Sequence, residues 1–327
     1  MRSSLLCLSL ICIFLSLNAQ TIRFNEVVSS NSIYFDEDGD SPDWIELYNY
    51  GNQEVSIANW TLTDDIDDYD KWTFPDITLN SNEYLLLWAS SKDRSAINYS
   101  RTIVNQGDNF KYLVPTNELI SEWKSLSFND ATWSEGPSGF GYDDGDDATL
   151  IPQGSTSLYI RKKFIVNNLS DMTSLILDID YDDGFVAYIN GVEIARANIN
   201  GNPPSYQTTT IQDHEAQMYN GGIPERFSVD DFSSILNEGE NVIAIQAHNV
   251  SSNSSDFTII PFLSAIFTSP NNTGVTPPAV LNLSSSNYHT NFNVSSDLET
   301  LLLYDNMGVL IDQMVVENLV PNTSIGV

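Results

Sequence analysis

Short runs rich in β-branched and aromatic residues recur along the chain, separated by clusters of Gly, Asn, Asp and Pro, and helical periodicity is almost absent. Runs of that kind predict strands, because a branched or aromatic side chain suits a pleated, half-buried surface. They fall at 21–28, 43–49, 84–89, 158–166, 174–180, 186–189, 241–249 and 257–267. In 43–48 the alternation places Trp44, Glu46 and Tyr48 on one face and Ile45 and Leu47 on the other. The Asn190-Gly191 pair suits the positive φ angles of a two-residue turn and predicts a hairpin joining 185–189 to 192–197. Only 230–236 reads as a short helical turn. Many short strands with turn residues between them predict an all-β sandwich architecture.

The pattern changes near residue 270. Residues 270–278 (PNNTGVTPP) carry no apolar periodicity and read as a linker. Strand-like runs follow at 292–294, 300–304 and 309–316, with a hairpin turn at Asp305-Asn306-Met307-Gly308. The chain then ends at Ile325-Gly326-Val327, which reads as an interruption rather than a capped end. A length of 327 residues suffices for two domains with cores of their own.

At the other end Arg2 precedes an apolar run at 5–17, too short to span a bilayer, and Asn18-Ala19-Gln20 reads as a cleavage point. Residues 1–19 are therefore expected to be a signal peptide. The residue before Cys12 is Ile11, which argues against a lipoprotein. Both cysteines, Cys7 and Cys12, lie in this leader, so the mature chain has neither a disulfide nor a thiolate. Export without disulfides suits a bacterial envelope or extracellular protein, with no membrane span left after cleavage.

Charge narrows the partners further. Lys and Arg number 13 against 44 Asp and Glu, a net charge of −31. Such a surface repels nucleic-acid phosphates and anionic lipid. It favours solubility and weak binding of divalent cations.

Two resemblances appear once the motifs are read together. IRFNEVVSSN (22–31), DEDGDSPDWIELYNYG (36–51), NWTLTDD (59–65), KWTFPD (71–76) and YLLLWASSKDR (84–94) resemble the bacterial lamin-tail domain, which implies an immunoglobulin-like β-sandwich. The features expected to close that domain stand much later. They are His289-Thr290-Asn291-Phe292, SSDLETLLLYDNMGVLID (295–312) and Pro321-Asn322-Thr323-Ser324-Ile325-Gly326. The resemblance thus implies one domain split into 20–101 and 279–327, or else a second, truncated copy beginning at 279. Residues 102–268 resemble the galactose-binding-like jelly roll, through 123–147, LYIRKKFIV (158–166), DYDDGFVAYINGVEIARANI (180–199) and 241–267. Residues 269–278 link the two. Together the modules resemble the N-terminal region of cell-surface proteins in which a spore-coat-protein-H-type kinase domain often follows. No kinase-like segment stands in this chain.

Candidate sites are few. Asp36, Asp38 and Asp40 alternate and can converge on Ca²⁺, although Gly39 and Glu46 do not fit an EF-hand; the alternative is a solvated acidic loop. Asp143, Asp144, Asp146 and Asp147 crowd their charges, and the jelly-roll resemblance implies a structural Ca²⁺ in such early loops; a plain loop is the alternative. The acidic run 64–70 reads as a hydrated loop. His214-Glu215, in the long loop 200–222, offers an acid–base pair without a nucleophile beside it, and reads better as hydrogen-bonded scaffolding. A sugar site is expected at that sandwich rim, from Tyr206, His214 and Tyr219 with Trp133 and Arg226.

No Gly-x-Ser-x-Gly elbow, His-Glu-x-x-His pair, Walker loop or dinucleotide fingerprint occurs. The chain is therefore expected to be a secreted or surface module without catalysis that binds glycan or a surface protein. The alternatives are an accessory fragment of a larger surface enzyme and a Ca²⁺-stabilised spacer.

Overall fold

The structure, a computed structural model, describes residues 21–327 except Asp144, Asn271 and Asn318. The leader expected at 1–19 lies outside the described residues. The chain enters a first unit, leaves it after Ala96, builds a second from Ile97–Ser286, and returns to the first at Asn287.

The first pass through unit one lays down β1 (Ile22–Val28), β2 (Asp43–Asn49), β3 (Val55–Ser56), β4 (Thr61–Thr63), β5 (Trp72–Thr73), β6 (Thr78–Leu79) and β7 (Tyr84–Ala89). Alternation sets the faces of β2. Ile45 and Leu47 are fully buried, while Trp44, Glu46 and Tyr48 are half-buried on the other side. Trp60 and Trp72 fill the same core as Ile45.

Unit two contributes β8 (Tyr99–Val104), β9 (Asn109–Leu113), β10 (Ser134–Pro137), β11 (Phe140–Tyr142), β12 (Thr149–Leu150), β13 (Ser157–Val166), β14 (Met172–Asp182), β15 (Gly184–Ile189) and β16 (Val192–Ala197). It ends with β17 (Glu225–Ser228), the four-residue α1 (Phe232–Ile235), β18 (Gly239–His248) and β19 (Phe257–Phe267). Two six-stranded sheets result, in the orders β10-β9-β13-β18-β15-β16 and β12-β11-β19-β14-β17, with β8 also paired to β19. Their facing residues, among them Ile160, Leu177, Phe185, Ile245, Ile259 and Leu263, form one core, giving a jelly-roll sandwich. The Asn190-Gly191 turn carries φ angles of 51° and 91° and joins β15 to β16 as its residues predict.

Residues 270–278, read as a linker, are held to this unit. Thr102 and Val275 exchange backbone hydrogen bonds of 2.9 and 3.0 Å, and Leu281 buries itself beside Ile260 and Phe262. The second unit therefore runs to Ser286, past the 268 and 278 marked by composition.

On its return the chain forms β20 (His289–Thr290), β21 (Glu299–Tyr304), β22 (Leu310–Val316) and β23 (Ser324–Gly326). They complete an immunoglobulin-like sandwich of a five-stranded sheet, β20-β7-β2-β1-β23, and a four-stranded sheet, β22-β21-β4-β5. The strand expected at 292–294 does not form. Phe292 and Val294 instead plug the core, 3% and 4% exposed, from irregular backbone, so burial rather than pairing accounts for their apolar character. Phe292, Val294, Leu301, Leu303, Met314 and Val316 all lie in the first unit's core. At about 1.5–3 kcal/mol for each buried apolar side chain, they supply on the order of 10 kcal/mol, comparable to the net stability of a whole domain.

Candidate functional site

The acidic loop after β1 is ordered by its own side chains. Asp36 accepts backbone hydrogen bonds from Asp38 and Asp40 on Oδ1, each at 3.0 Å, which curls the loop around one carboxylate. Asp36, Asp38 and Asp40 do converge, as expected for a cation site, but the cation is an ammonium. Lys92 Nζ lies 2.6, 2.7 and 2.9 Å from them. A Ca²⁺ at that point would have to displace Lys92, a lysine far along the chain. Burial works against the charged Lys92, yet the hydrogen bonds it donates to Asp36, Asp38 and Asp40 outweigh this and raise its pKa.

A second set lies beside this loop. His289, fully buried on β20, receives Ser90 Oγ at 2.7 Å from Nδ1 and faces Glu37 Oε1 at 3.3 Å from Nε2. Arg94 pairs with Glu37 and with Asp38, and Asn287 donates to Glu37 through its backbone N–H and its side chain, both at 2.8 Å. Burial pushes the His289 pKa down, against the raising effect of Glu37. A hydroxyl, an imidazole and a carboxylate in line have the composition of a nucleophilic triad. Here the ring has no exposed surface, both its nitrogens are engaged, and Ser90 Oγ faces the Lys92 N–H at 3.3 Å. The set works as a clamp. The sequence hid it because its members come from three distant segments.

In unit two Trp133 and Tyr206, of the expected sugar-site residues, share one aromatic cluster. Trp133 is buried, 7% exposed, in an aromatic cluster with Trp123, Tyr159 and Tyr188, against which Tyr206 packs. His214 stacks on Tyr181 at 4.1 Å and places Nδ1 3.1 Å from the Tyr181 carbonyl oxygen. Arg226 pairs with Asp178 at 2.7 Å, and Tyr219 is half exposed on a single turn at Met218–Asn220. The loop carrying His214 is tied to β14 by carboxylates. Asp183 accepts from the His214 and Val250 N–H groups at 2.6 and 2.7 Å, and Asp180 from those of Gln217 and Met218. Burial raises the Asp183 pKa despite these donors.

Asp143 is exposed and accepts from Gln153 Nε2 at 2.8 Å. Asp146 and Asp147 are half-buried, and a Cβ on Gly141 would overlap the Asp147 carboxylate and the Phe257 carbonyl oxygen. Asp144 lies outside the described residues. A further carboxylate group, missed in the sequence, brings Asp182, Glu215 and Asp256 within 4.8 Å of one another. Among the described residues it is the set whose spacing suits a shared cation.

Unit one also holds an open recess. A cleft of about 550 Å³ lies between the segment leading from β4 to β5 and the β21–β22 turn, lined by Asn59, Tyr69, Asp70, Thr73, Asn306 and Met307 among others. Thr61 Oγ1 donates to the Tyr69 carbonyl at 2.8 Å, and the Tyr69 ring meets Tyr304 edge to face at 6.0 Å. Half of Tyr69 remains exposed (53%). On the opposite wall the buried Asp305 accepts from the Met307 and Val309 N–H groups, both at 2.9 Å, and fixes the turn. Amides, hydroxyls and the carboxylates of Asp70 and Asp305 thus surround one open aromatic ring.

Comparison with known proteins gives a partial picture. No curated protein matches the chain. Among solved structures, a Bacteroides uniformis β-glucuronidase is 14% identical at a TM-score of 0.34, over 63% of this chain and 22% of that one. A β-glucuronidase of an uncultured Clostridium sp. is 14% identical at 0.34, over 68% and 45%. A β-glycosidase from Bacteroides vulgatus is 12% identical at 0.29, over 70% and 34%. The chain spans less than half of each enzyme, and the glycosidase activity is that of those enzymes. The family model described as Lamin Tail Domain matches residues 18–159, beginning in the first unit and running past Ala96 into the second.

Proposed function

We propose that the chain is a non-catalytic binding module of a secreted or cell-surface protein, and that it holds a saccharide in the cleft beside Tyr69. One observation carries this reading: an open tyrosine ring stands among amide and hydroxyl groups in a cleft of about 550 Å³. A sugar ring offers an apolar face of C–H groups and a rim of hydroxyls that both donate and accept. Asn59, Asn306 and Thr73 answer the rim with groups that also donate and accept, and Tyr69 answers the face. The reading as non-catalytic draws support from the buried His289, since a general base must reach the proton it takes. The order of the two modules fits an accessory N-terminal region of a larger surface protein.

The test is a glycan array on residues 20–327, followed by titration of the strongest ligand into Tyr69→Ala, with Tyr206→Ala and Tyr219→Ala beside it. Saturable binding should weaken roughly tenfold or more in Tyr69→Ala and hold in the other two. A blank array from a folded sample, or binding indifferent to Tyr69, would overturn the proposal.

A further inference from the structure

The Tyr69 cleft has a charge as well as a shape. The segment that forms one wall reads Asp64-Asp65-Ile66-Asp67-Asp68-Tyr69-Asp70-Lys71, five carboxylates and one ammonium. That ammonium is already taken, because Lys71 Nζ lies 2.6 Å from Asp64. Asp65, Asp67, Asp68 and Asp70 make no ion pair among the described residues, and Asp70 is exposed in the lining of the cleft. The opposite wall adds Asp305, buried beneath its turn. No Lys or Arg lines the recess. A cleft walled by one sign of charge concentrates ligands of the other sign. At physiological ionic strength the Debye length is about 8 Å, so what counts is charge on this loop rather than the −31 of the whole chain.

Resting on the saccharide reading, we propose that the preferred ligand is a cationic amino sugar, a glycan whose hexosamine units carry a free ammonium. The sugar face lies on Tyr69, the ammonium pairs with Asp70, and the hydroxyls meet Asn59, Thr73 and Asn306. N-acetylation removes the charge and weakens binding. Uronic acids and sulfated sugars meet the field with the wrong sign.

The test titrates the full chain by calorimetry at pH 6 in EDTA, with a glucosamine trisaccharide and its fully N-acetylated counterpart, at low and high NaCl. The amino trisaccharide should bind about fivefold tighter at low salt, the range of one exposed ion pair, and the advantage should shrink at high salt. Asp70→Asn should remove the advantage and leave the N-acetylated ligand unaffected. Tyr69→Ala, which keeps every charge, should weaken binding of both roughly tenfold or more. Equal or tighter binding of the N-acetylated sugar overturns the amino-sugar inference and leaves the saccharide reading standing. Binding of the amino sugar that is as tight in Tyr69→Ala as in the parent shows diffuse attraction to an acidic surface and overturns the inference. Failure of both sugars to bind overturns it together with the saccharide site.

Discussion

Replacing Lys92 by Met removes the ammonium at the centre of the acidic loop while keeping an unbranched side chain of similar reach. The Lys92 side chain is 23% exposed, and those of Asp36, Asp38 and Asp40 are 0%, 41% and 68% exposed. Asp38 and Asp40 can recover water as they lose the lysine. Asp36 cannot: its Oδ1 keeps two backbone donors, but its Oδ2 is left buried and charged. Breaking a fully buried pair costs about 3–5 kcal/mol, and partial exposure of Lys92 brings the expected loss to about 2–3 kcal/mol. For a unit of this size that is a fall of about 8–12 °C in melting temperature. Differential scanning calorimetry should show the transition of the first unit falling by that amount and the other holding. High salt should rescue little, because the pair is shielded from solvent ions. The acid and alkaline limits follow from the same cluster. Hydrogen bonds from Lys92 and Arg94 hold Asp38 below its ordinary 3.8. Glu37 is held below 4.5 because Asn287 and His289 outweigh the opposing effect of burial. Their contribution is full above the unfolded carboxylate values and is lost as pH falls through the lowered folded ones. The raised Lys92 contributes fully below 10.5 and loses its contribution only as pH climbs through its folded value. A Lys92→Met protein within about 0.5 kcal/mol of the parent, the range of an ordinary surface substitution, would refute the reasoning.

Two further outcomes are expected. Burial lowers the pKa of His248 to about 4, against the raising hydrogen bond to the Thr208 carbonyl, and its Nε2 has no hydrogen-bond partner among the described residues. The unfolded chain therefore takes up a proton that the folded one refuses, and stability falls as pH drops from the unfolded value towards the folded one. The second unit should lose about 2 kcal/mol between about pH 7 and pH 5 through this ring, and urea titrations of His248→Asn should lack that component. Ending the chain before Asn287 removes six core side chains, so the first unit should lose its cooperative transition while the second keeps its own; a truncated protein with both transitions would refute the split assembly.

Much of the fold is legible because its signals are local. Asn190-Gly191 announces its turn by two side chains, and alternation along β2 fixes which face is buried. Phe292 and Val294 mislead for the opposite reason: their apolar character reports burial, which strand and irregular backbone share. The linker reading of 270–278 fails similarly. Proline and asparagine mark the absence of a regular element, whereas attachment to a core depends on contacts with distant residues, among them the pairing of Val275 with Thr102. The site residues were harder still. Asp36, Asp38 and Asp40 declare a demand for positive charge, but whether a metal or an ammonium meets it depended on Lys92, a residue with nothing local to distinguish it. The Tyr69 cleft has walls from both passes of the chain through the first unit, so no window of sequence contains it.

The position of the acidic cluster also explains why it should be rigid rather than reactive. Ser90, Lys92 and Arg94 are among the last residues before the chain leaves the first unit, and Asn287 and His289 are among the first after it returns. Glu37 joins the two, through Arg94 on one side and Asn287 with His289 on the other. An insertion of this length separates the closing strands from the sheet they complete, and the entropic cost of closing such a loop rises slowly, by about 0.6 kcal/mol for each doubling. A few charged hydrogen bonds at the seam, each worth about 1.5–3 kcal/mol when well shielded, are sufficient to offset it. On that account the buried Ser90–His289–Glu37 line is spent on holding the re-entry point. The Tyr69 cleft proposed above for a saccharide stands apart from this line, and its ring and amides are not consumed by the seam.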